Sequence, residues 1–553
     1  MHVKYIINNL YFFVSQENLM KNNINIQRRK LLKFAGVSAA ALATFPGLIN
    51  AKMMRVGSHA SLDFIPDIEI SLTGEVKNVS IFKGPKTHVW KVVGKVLKGD
   101  KNAITNEESY LAPTIRLHKG QKVRIYLKNE LPSSTILHWH GLHVPSKMDG
   151  NPMYAIDNGE TFVYEFEILN RAGTYWYHAH THSLTAKHVY SGLAGFFIVS
   201  DDEEQALELP RGEFDIPLVI QDRNFDQQNQ LQYDGGRMMK MHGFLGQQIL
   251  VNGTPEFELS VSTRAYRLRL LNGSNSRIYK LAWDDGTPFK VIGTDGGLLE
   301  RPETLDYITL APAERREIWV DFSDKKEGSE ITLRSLEFSS GGMGMMGGMG
   351  GGMGGGMGMR GGRGGMGGGR SHAGEDFAVL KVRVSKKTFS RDVLPKRLSR
   401  IKALRLADAA NPQSPRRITL SMRHMSALLN GRSYKMNDIR KDEIVPVNTL
   451  QLMEFDNGYH GMGGGMMGMP HPMHLHGEQF QVVNRQVRNK SGKGYSSVSE
   501  GFLDKGWKDT VLVMPGETVT ILKPFNDYTG IFMYHCHNLE HEDMGMMRDL
   551  LVK

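Results

Sequence analysis

Lys119-Gly120-Gln121-Lys122-Val123-Arg124-Ile125 is matched in pattern, far downstream, by Pro515-Gly516-Glu517-Thr518-Val519-Thr520-Ile521. Each copy is a glycine turn followed by polar–apolar alternation, the pattern of a half-buried strand. Each also comes before a strand rich in histidine: Tyr175-Trp176-Tyr177-His178-Ala179-His180 in the first case and Met533-Tyr534-His535-Cys536-His537 in the second. The same alternation recurs at 114–118, 162–168 and 266–271, and no long segment keeps a helical period. The chain is therefore predicted to be all-β, built of repeated sandwiches. Its 553 residues are about three and a half times an ordinary domain of ~150. We expect three sandwiches, near 60–204, 205–385 and 410–553, with a basic linker at 386–409.

The composition is globular, with 23% charged and 40% hydrophobic residues, too apolar for a disordered chain. The single cysteine, Cys536, excludes an intramolecular disulfide framework, a four-cysteine zinc site and a cysteine-ligated iron–sulfur cluster. A net charge of +10 could suit nucleic acid, but the basic residues are dispersed and part of the excess lies near the N-terminus. We expect no nucleic-acid partner and no stable membrane insertion. Arg28-Arg29-Lys30 followed by the short Ala-rich stretch 34–43 resembles a twin-arginine export signal, so residues 1–51 are expected to be a signal region and the mature protein periplasmic.

Twelve of the 21 histidines fall in four clusters. They are His138-Trp139-His140-Gly141-Leu142-His143, His178-Ala179-His180-Thr181-His182, His471-Pro472-Met473-His474-Leu475-His476, and His535-Cys536-His537-Asn538-Leu539-Glu540-His541. Every cluster contains a His-x-His pair, which on a strand offers two imidazoles to one face. Imidazole suits copper, zinc, iron and nickel, so the thiol has to decide between them. Cys536 faces away from His535 and His537 and must serve a different metal from theirs, while remaining covalently joined to both through the backbone. One Cys, two His and a weak Met make a blue-copper site, and His541 and Met546 follow Cys536 within ten residues. His471, an odd number of positions from His474, can join them. The pairs His138/His140, His178/His180, His474/His476 and His535/His537 remain, enough for a multinuclear cluster. Electrons taken one at a time at the thiolate site would pass through Cys536 to that cluster, where O2 is reduced to water. The isolated His59, His88, His118, His188, His242, His372 and His424 are read as ordinary core or surface histidines. A zinc hydrolase, needing about three ligands, would leave most of the clustered residues unexplained.

At these residues the sequence resembles the multicopper oxidases, across essentially the whole chain after residue 51, and most resembles the bacterial copper-efflux cuprous oxidases. Besides the four clusters, Gly506-Trp507-Lys508-Asp509-Thr510 and the run from His535 through Met547 carry the likeness. The resemblance implies three consecutive cupredoxin-like Greek-key β-sandwiches and four copper ions. It places His471, Cys536, His541 and Met546 on a type 1 copper, and His138 and His474 on a type 2 copper. The type 3 pair takes His140, His178, His180, His476, His535 and His537. It also points to Asp149 and Glu542 as carboxylates that reload protons, where the sequence alone allows a turn Asp before Gly150 and a surface Glu. One departure stands out: the family's acid just ahead of the type 1 histidine is replaced here by Met467.

Residues 341–369 comprise nineteen Gly, eight Met and two Arg, and cannot form a core. Thioethers select Cu(I), so Met343, Met345, Met346, Met349, Met353, Met357 and Met359 in this insert, with Met466, Met467 and Met469 before His471, are candidate ligands for substrate Cu(I). The expected partners are O2 and either Cu(I) or a small aromatic reductant. The alternatives are thus a cuprous oxidase and a laccase-like oxidase of phenols or aromatic amines. A copper carrier would have no use for a cysteine wired between cluster ligands. With no oligomerisation segment in view, a monomer is expected.

Overall fold

The computed structural model describes residues 57, 59–233, 236–339, 373–390, 392–423, 426–458, 468–488 and 492–553. Nearly all the regular structure is strand, and among the described residues the strands form six sheets. The sheets pack in pairs. In the first pair, Trp139 meets Tyr164 and Phe166 of one sheet and Tyr177 and Phe197 of the other. A second core unites Leu218, Leu268 and Ile318 with Leu281, Leu333 and Val382. A third unites Ile418, Phe455 and Ile521 with Met473, Cys536 and Val552.

One topological signature occurs three times. In each sandwich one strand pairs in parallel across a sheet: Ile68–Val79 with Lys122–Asn129, Asp215–Arg223 with Ala265–Asn272, and Arg416–Arg423 with Thr449–Asp456. The partner sheets repeat the device, joining Thr114–His118 to Ala194–Ser200, Glu258–Ser262 to Phe377–Lys386, and Ile444–Val445 to Met547–Val552. Parallel neighbours cannot be joined by a hairpin, so the chain must cross between sheets, and the sandwich is wound as a Greek key. Among the described residues no helix is long and apolar enough to cross a membrane.

The strand Ala265–Asn272 departs from its sequence reading. Alternation predicts a polar face in water, yet Arg267 and Arg269 are fully buried. Arg269 pairs with Asp215 at 2.6 Å and Glu317 at 2.9 Å and donates to Thr174 of the first sandwich. Arg267 pairs with Glu317 at 2.5 Å and with Glu204. That face is an interface between sandwiches, and buried guanidinium groups persist there because their donors meet carboxylates. An apolar cluster crosses the same region, with Trp176 and Val189 of the first sandwich, Leu250 and Leu271 of the second, and Leu539 of the third. The sandwiches are thereby held at the spot where the histidines collect.

Candidate metal centre

In the third sandwich the strand His471–Leu475 runs between Thr510–Val513 and Gly530–Cys536. Its register pairs His474 with His535 and Met473 with Cys536. Because side chains alternate across a strand, this single pairing sends the two histidines to one face and the cysteine to the other. In the first sandwich Leu137–His138 pairs with Gly173–Ala179, setting His138 opposite His178.

The two strand groups meet. His138 Nε2 lies 3.4 Å from His474 Nε2. His140 Nδ1 and His537 Nε2 each stand 3.4 Å from His178 Nε2. His180 Nε2 and His476 Nε2 lie 3.3 and 3.2 Å from His535 Nε2. All eight are buried. On the opposite face, Cys536 Sγ lies 3.4 Å from His471 Nδ1 and 3.8 Å from His541 Nδ1. Met546 packs in the same core as Cys536, and its carbonyl accepts the Cys536 amide at 3.0 Å.

These contacts fit metal ions. Two imidazole nitrogens, each about 2.0–2.1 Å from a shared ion at a tetrahedral angle, sit about 3.3 Å apart. Burial holds His140, His178, His180, His471, His474, His476 and His537 well below the usual imidazole range, and brings His541 down to about 4. They are neutral, with lone pairs free to ligate. Burial pushes the Cys536 thiol up, and a bound cation reverses that by taking the thiolate as its ligand. The described donors gather into the groups His138/His140/His474, His140/His178/His537, His180/His476/His535 and His471/Cys536/His541.

Some rear nitrogens are held in turn, which fixes ring orientation, whereas Nδ1 of His180 and of His537 have no hydrogen-bond partner among the described residues. Asp149 serves two rings: its carbonyl accepts from His138 Nδ1 at 2.7 Å and its carboxylate from His476 Nδ1 at 2.7 Å. Gly150, at φ +79°, leaves a Cβ only 2.2 Å from the Leu137 carbonyl, so glycine is required for the chain to turn against the His138 strand. Glu542 Oε2 lies 3.0 Å from His535 Nδ1, and Oε1 lies 3.6 Å from His180 Nε2. Both carboxylates are buried, so neither is a plain turn or surface acid. Burial raises Asp149 above the ordinary carboxylate range.

Met469 is buried and borders a cavity with His242, Met514, Ile278, Phe338, Pro470, Pro472, Val498 and Leu512. Met343, Met345, Met346, Met349, Met353, Met357, Met359, Met466 and Met467 lie outside the described residues, as do His372, His424 and the signal region. His188 is a satisfied core histidine between Ser133 and Thr181. His242 is more than that. Its buried Nδ1 has no hydrogen-bond partner among the described residues, and it ends the helix Arg237–His242, whose Met241 carbonyl accepts from His541 Nε2 at 3.0 Å. The run Arg237-Met238-Met239-Lys240-Met241-His242 was the available signal, a third island of soft ligands.

A protein of this kind pairs a one-cysteine redox site with a histidine cluster across two sandwiches. Multicopper oxidase domain profiles match residues 88–204 and 409–553. The chain is 32% identical to the multicopper oxidase mco of Staphylococcus aureus over 82% of this chain and 84% of that one. It is 30% identical to the laccase of Bacillus subtilis, over 79% of this chain and 88% of the other. Its fold matches the crystal structure of the McoA multicopper oxidase of Aquifex aeolicus with a TM-score of 0.71 and 34% identity, covering 89% and 97% of the two chains. The chain belongs to the multicopper oxidase family. It is a copper enzyme that oxidises a reducing substrate with O2, and its sandwiches are cupredoxin-like.

Proposed function

We propose that the protein oxidises Cu(I) to Cu(II) and reduces O2 to water, acting as a monomer in the periplasm after twin-arginine export and protecting that compartment from copper. Four copper ions are assigned: type 1 with His471, Cys536, His541 and Met546; type 2 with His138 and His474; and the type 3 pair with His140, His178 and His537 on one ion and His180, His476 and His535 on the other. The sandwich boundaries are placed at 60–204, 205–385 and 410–553. Bound copper supplies the one-electron steps at the thiolate and the four-electron reduction of O2 at the cluster. Cys536 joins the two, its sulfur on one side and its peptide neighbours His535 and His537 on the other. Asp149 and Glu542, buried against cluster histidines, hold the protons that O2 reduction consumes.

The observation that carries the Cu(I) reading is the cavity beside the type 1 ligands. Met469, Met514 and His242, whose Nδ1 has no hydrogen-bond partner among the described residues, line it, and no carboxylate is among its lining residues. The methionine insert at 341–369 would add collecting capacity. The apolar wall of Ile278, Phe338, Val498 and Leu512 favours the second reading, a laccase-like oxidase of phenols or aromatic amines.

O2 uptake with Cu(I), and then a phenol, as sole reductant separates them, using wild type, M469L and H242Q. A cuprous oxidase turns over Cu(I) saturably, and both variants raise its KM about ten-fold, a loss of ~1.4 kcal/mol of binding, with phenol oxidation unchanged. Equal Cu(I) kinetics in all three proteins, with efficient phenol turnover, would establish the laccase reading.

A further inference from the structure

His140 differs from its neighbours in how it is turned. Its Nδ1 faces His178, whereas His178, His180, His476, His535 and His537 present Nε2 to one another. The rear nitrogen, Nε2, meets Asp509 Oδ1 at 3.0 Å. That oxygen also accepts from Arg315 Nη1 at 2.7 Å and Thr510 Oγ1 at 3.0 Å, while Oδ2 accepts from Arg315 Nη2 at 2.5 Å. With both oxygens accepting from the Arg315 guanidinium, Asp509 meets His140 Nε2 as an acceptor, so Nε2 carries the hydrogen and Nδ1 the lone pair.

Arg315 itself has no freedom to move. Its five N–H donors are all engaged: Nε by Thr174 O, Nη1 by Ala313 O and Asp509, Nη2 by Asp295 O and Asp509. It is fully buried, and it comes from the strand Arg315–Asp321 of the middle sandwich. Gly141, next to His140, is part of the fit, since a Cβ there would stand 2.4 Å from Asp509 Oδ2. The Asp509 carbonyl meanwhile accepts from His474 Nδ1 at 2.8 Å.

We infer that Arg315 and Asp509 form a positioning pair that fixes the His140 tautomer. The middle sandwich, which provides none of the assigned ligands, thereby determines which nitrogen of His140 faces the cluster. Arg315 touches neither reductant nor O2 and acts through Asp509. The inference depends on His140 as a cluster ligand and is indifferent to which reductant the enzyme uses.

The test compares wild type, R315Q and R315K as copper-loaded, fully reduced, diamagnetic proteins labelled with 15N-histidine. In wild type, His140 should show a protonated Nε2 and a metal-bound Nδ1. In both variants that Nε2–H should exchange with solvent at least ten-fold faster. Copper should also be retained at the cluster about 10–100-fold less well against a mild chelator. In the same proteins taken oxidised, the blue absorption of the Cys536 site should persist. Unchanged His140 resonances with full copper content in R315Q overturn the inference. So does loss of all copper together with the blue band, which would mark Arg315 as holding only the fold. R315K keeps the buried charge, and if R315Q fails to fold it is read by the same criteria. Anaerobic bleaching by the reductant should be unaffected in any folded variant, so a failed Cu(I) assay leaves this result independent.

Discussion

His471 Nδ1 stands 3.4 Å from Cys536 Sγ although 65 positions separate them, while His535 and His537, covalent neighbours of Cys536, turn to the opposite face. The sulfur is thus committed to one centre and its backbone to the other. C536S, close in size, should keep the fold and the cluster copper. It should lose the blue absorption, and steady-state O2 uptake should fall to background with any reductant. Absorption spectroscopy and copper analysis of the purified variant check this; retained oxidase turnover would show that electrons enter elsewhere.

The carboxylates should separate proton delivery from electron entry. D149N and E542Q each replace a buried carboxylate by an isosteric amide beside a cluster histidine, His476 for Asp149 and His535 for Glu542. A general acid contributes about 10²–10⁴-fold, and kcat for O2 reduction should fall by that order. Anaerobic bleaching of the blue band in a stopped-flow experiment should keep its wild-type rate. If bleaching slows in parallel with kcat, the two acids act on structure and not on protons.

Much of this centre was legible in the sequence, because its logic is local. His-x-His on a strand puts two rings on one face, and a cysteine inserted between two of them must face the other way, so spacing alone separated Cys536 from its neighbours. The repeated glycine-turn strands likewise announced all-β sandwiches. What stayed hidden comes from tertiary contact. Arg315 sits in Arg315-Arg316-Glu317-Ile318-Trp319, which reads as an ordinary strand with a solvated polar edge, and only docking of the first and third sandwiches buries it. His242 was read as background for the same reason: its neighbour Met241 meets His541 across 300 positions. The burial of Asp149 and Glu542 was equally beyond the sequence, where a turn Asp and a surface Glu look the same.

His188 provides a pH test away from the ligands. Burial lowers it to about 4, and its nitrogens face Thr181 and Ser133. The unfolded chain binds the proton near 6.5 and the folded chain only near 4, so the contribution is fully present above 6.5 and is lost as the pH falls to 4. A shift of this size corresponds to about 3 kcal/mol. Thermal melting of wild type should therefore weaken across that window, and H188Q should be flatter there while melting lower at pH 7. Parallel curves for the two proteins would place the acid sensitivity in other groups.

Deleting residues 341–369 distinguishes a collector of Cu(I) from a plain tether. A plain tether would have no need of methionine, since Ser or Asn would serve beside the nineteen glycines without the liability of oxidation. The insert's sequence carries eight thioethers, which are soft ligands, and the described His242 borders the cavity beside His471. If the insert both gathers Cu(I) and covers that cavity, its removal should lower kcat/KM for Cu(I) about ten-fold, comparable to losing one good contact of ~1.4 kcal/mol, and should raise phenol oxidation as the cavity opens. Full-length and deleted proteins of equal copper content, assayed by O2 uptake with each reductant, give the answer. Copper content matters because a protein deficient in copper would lose both activities together. Unchanged kinetics with both reductants would remove the insert from catalysis and leave Met469, Met514 and His242 as the whole of the soft site.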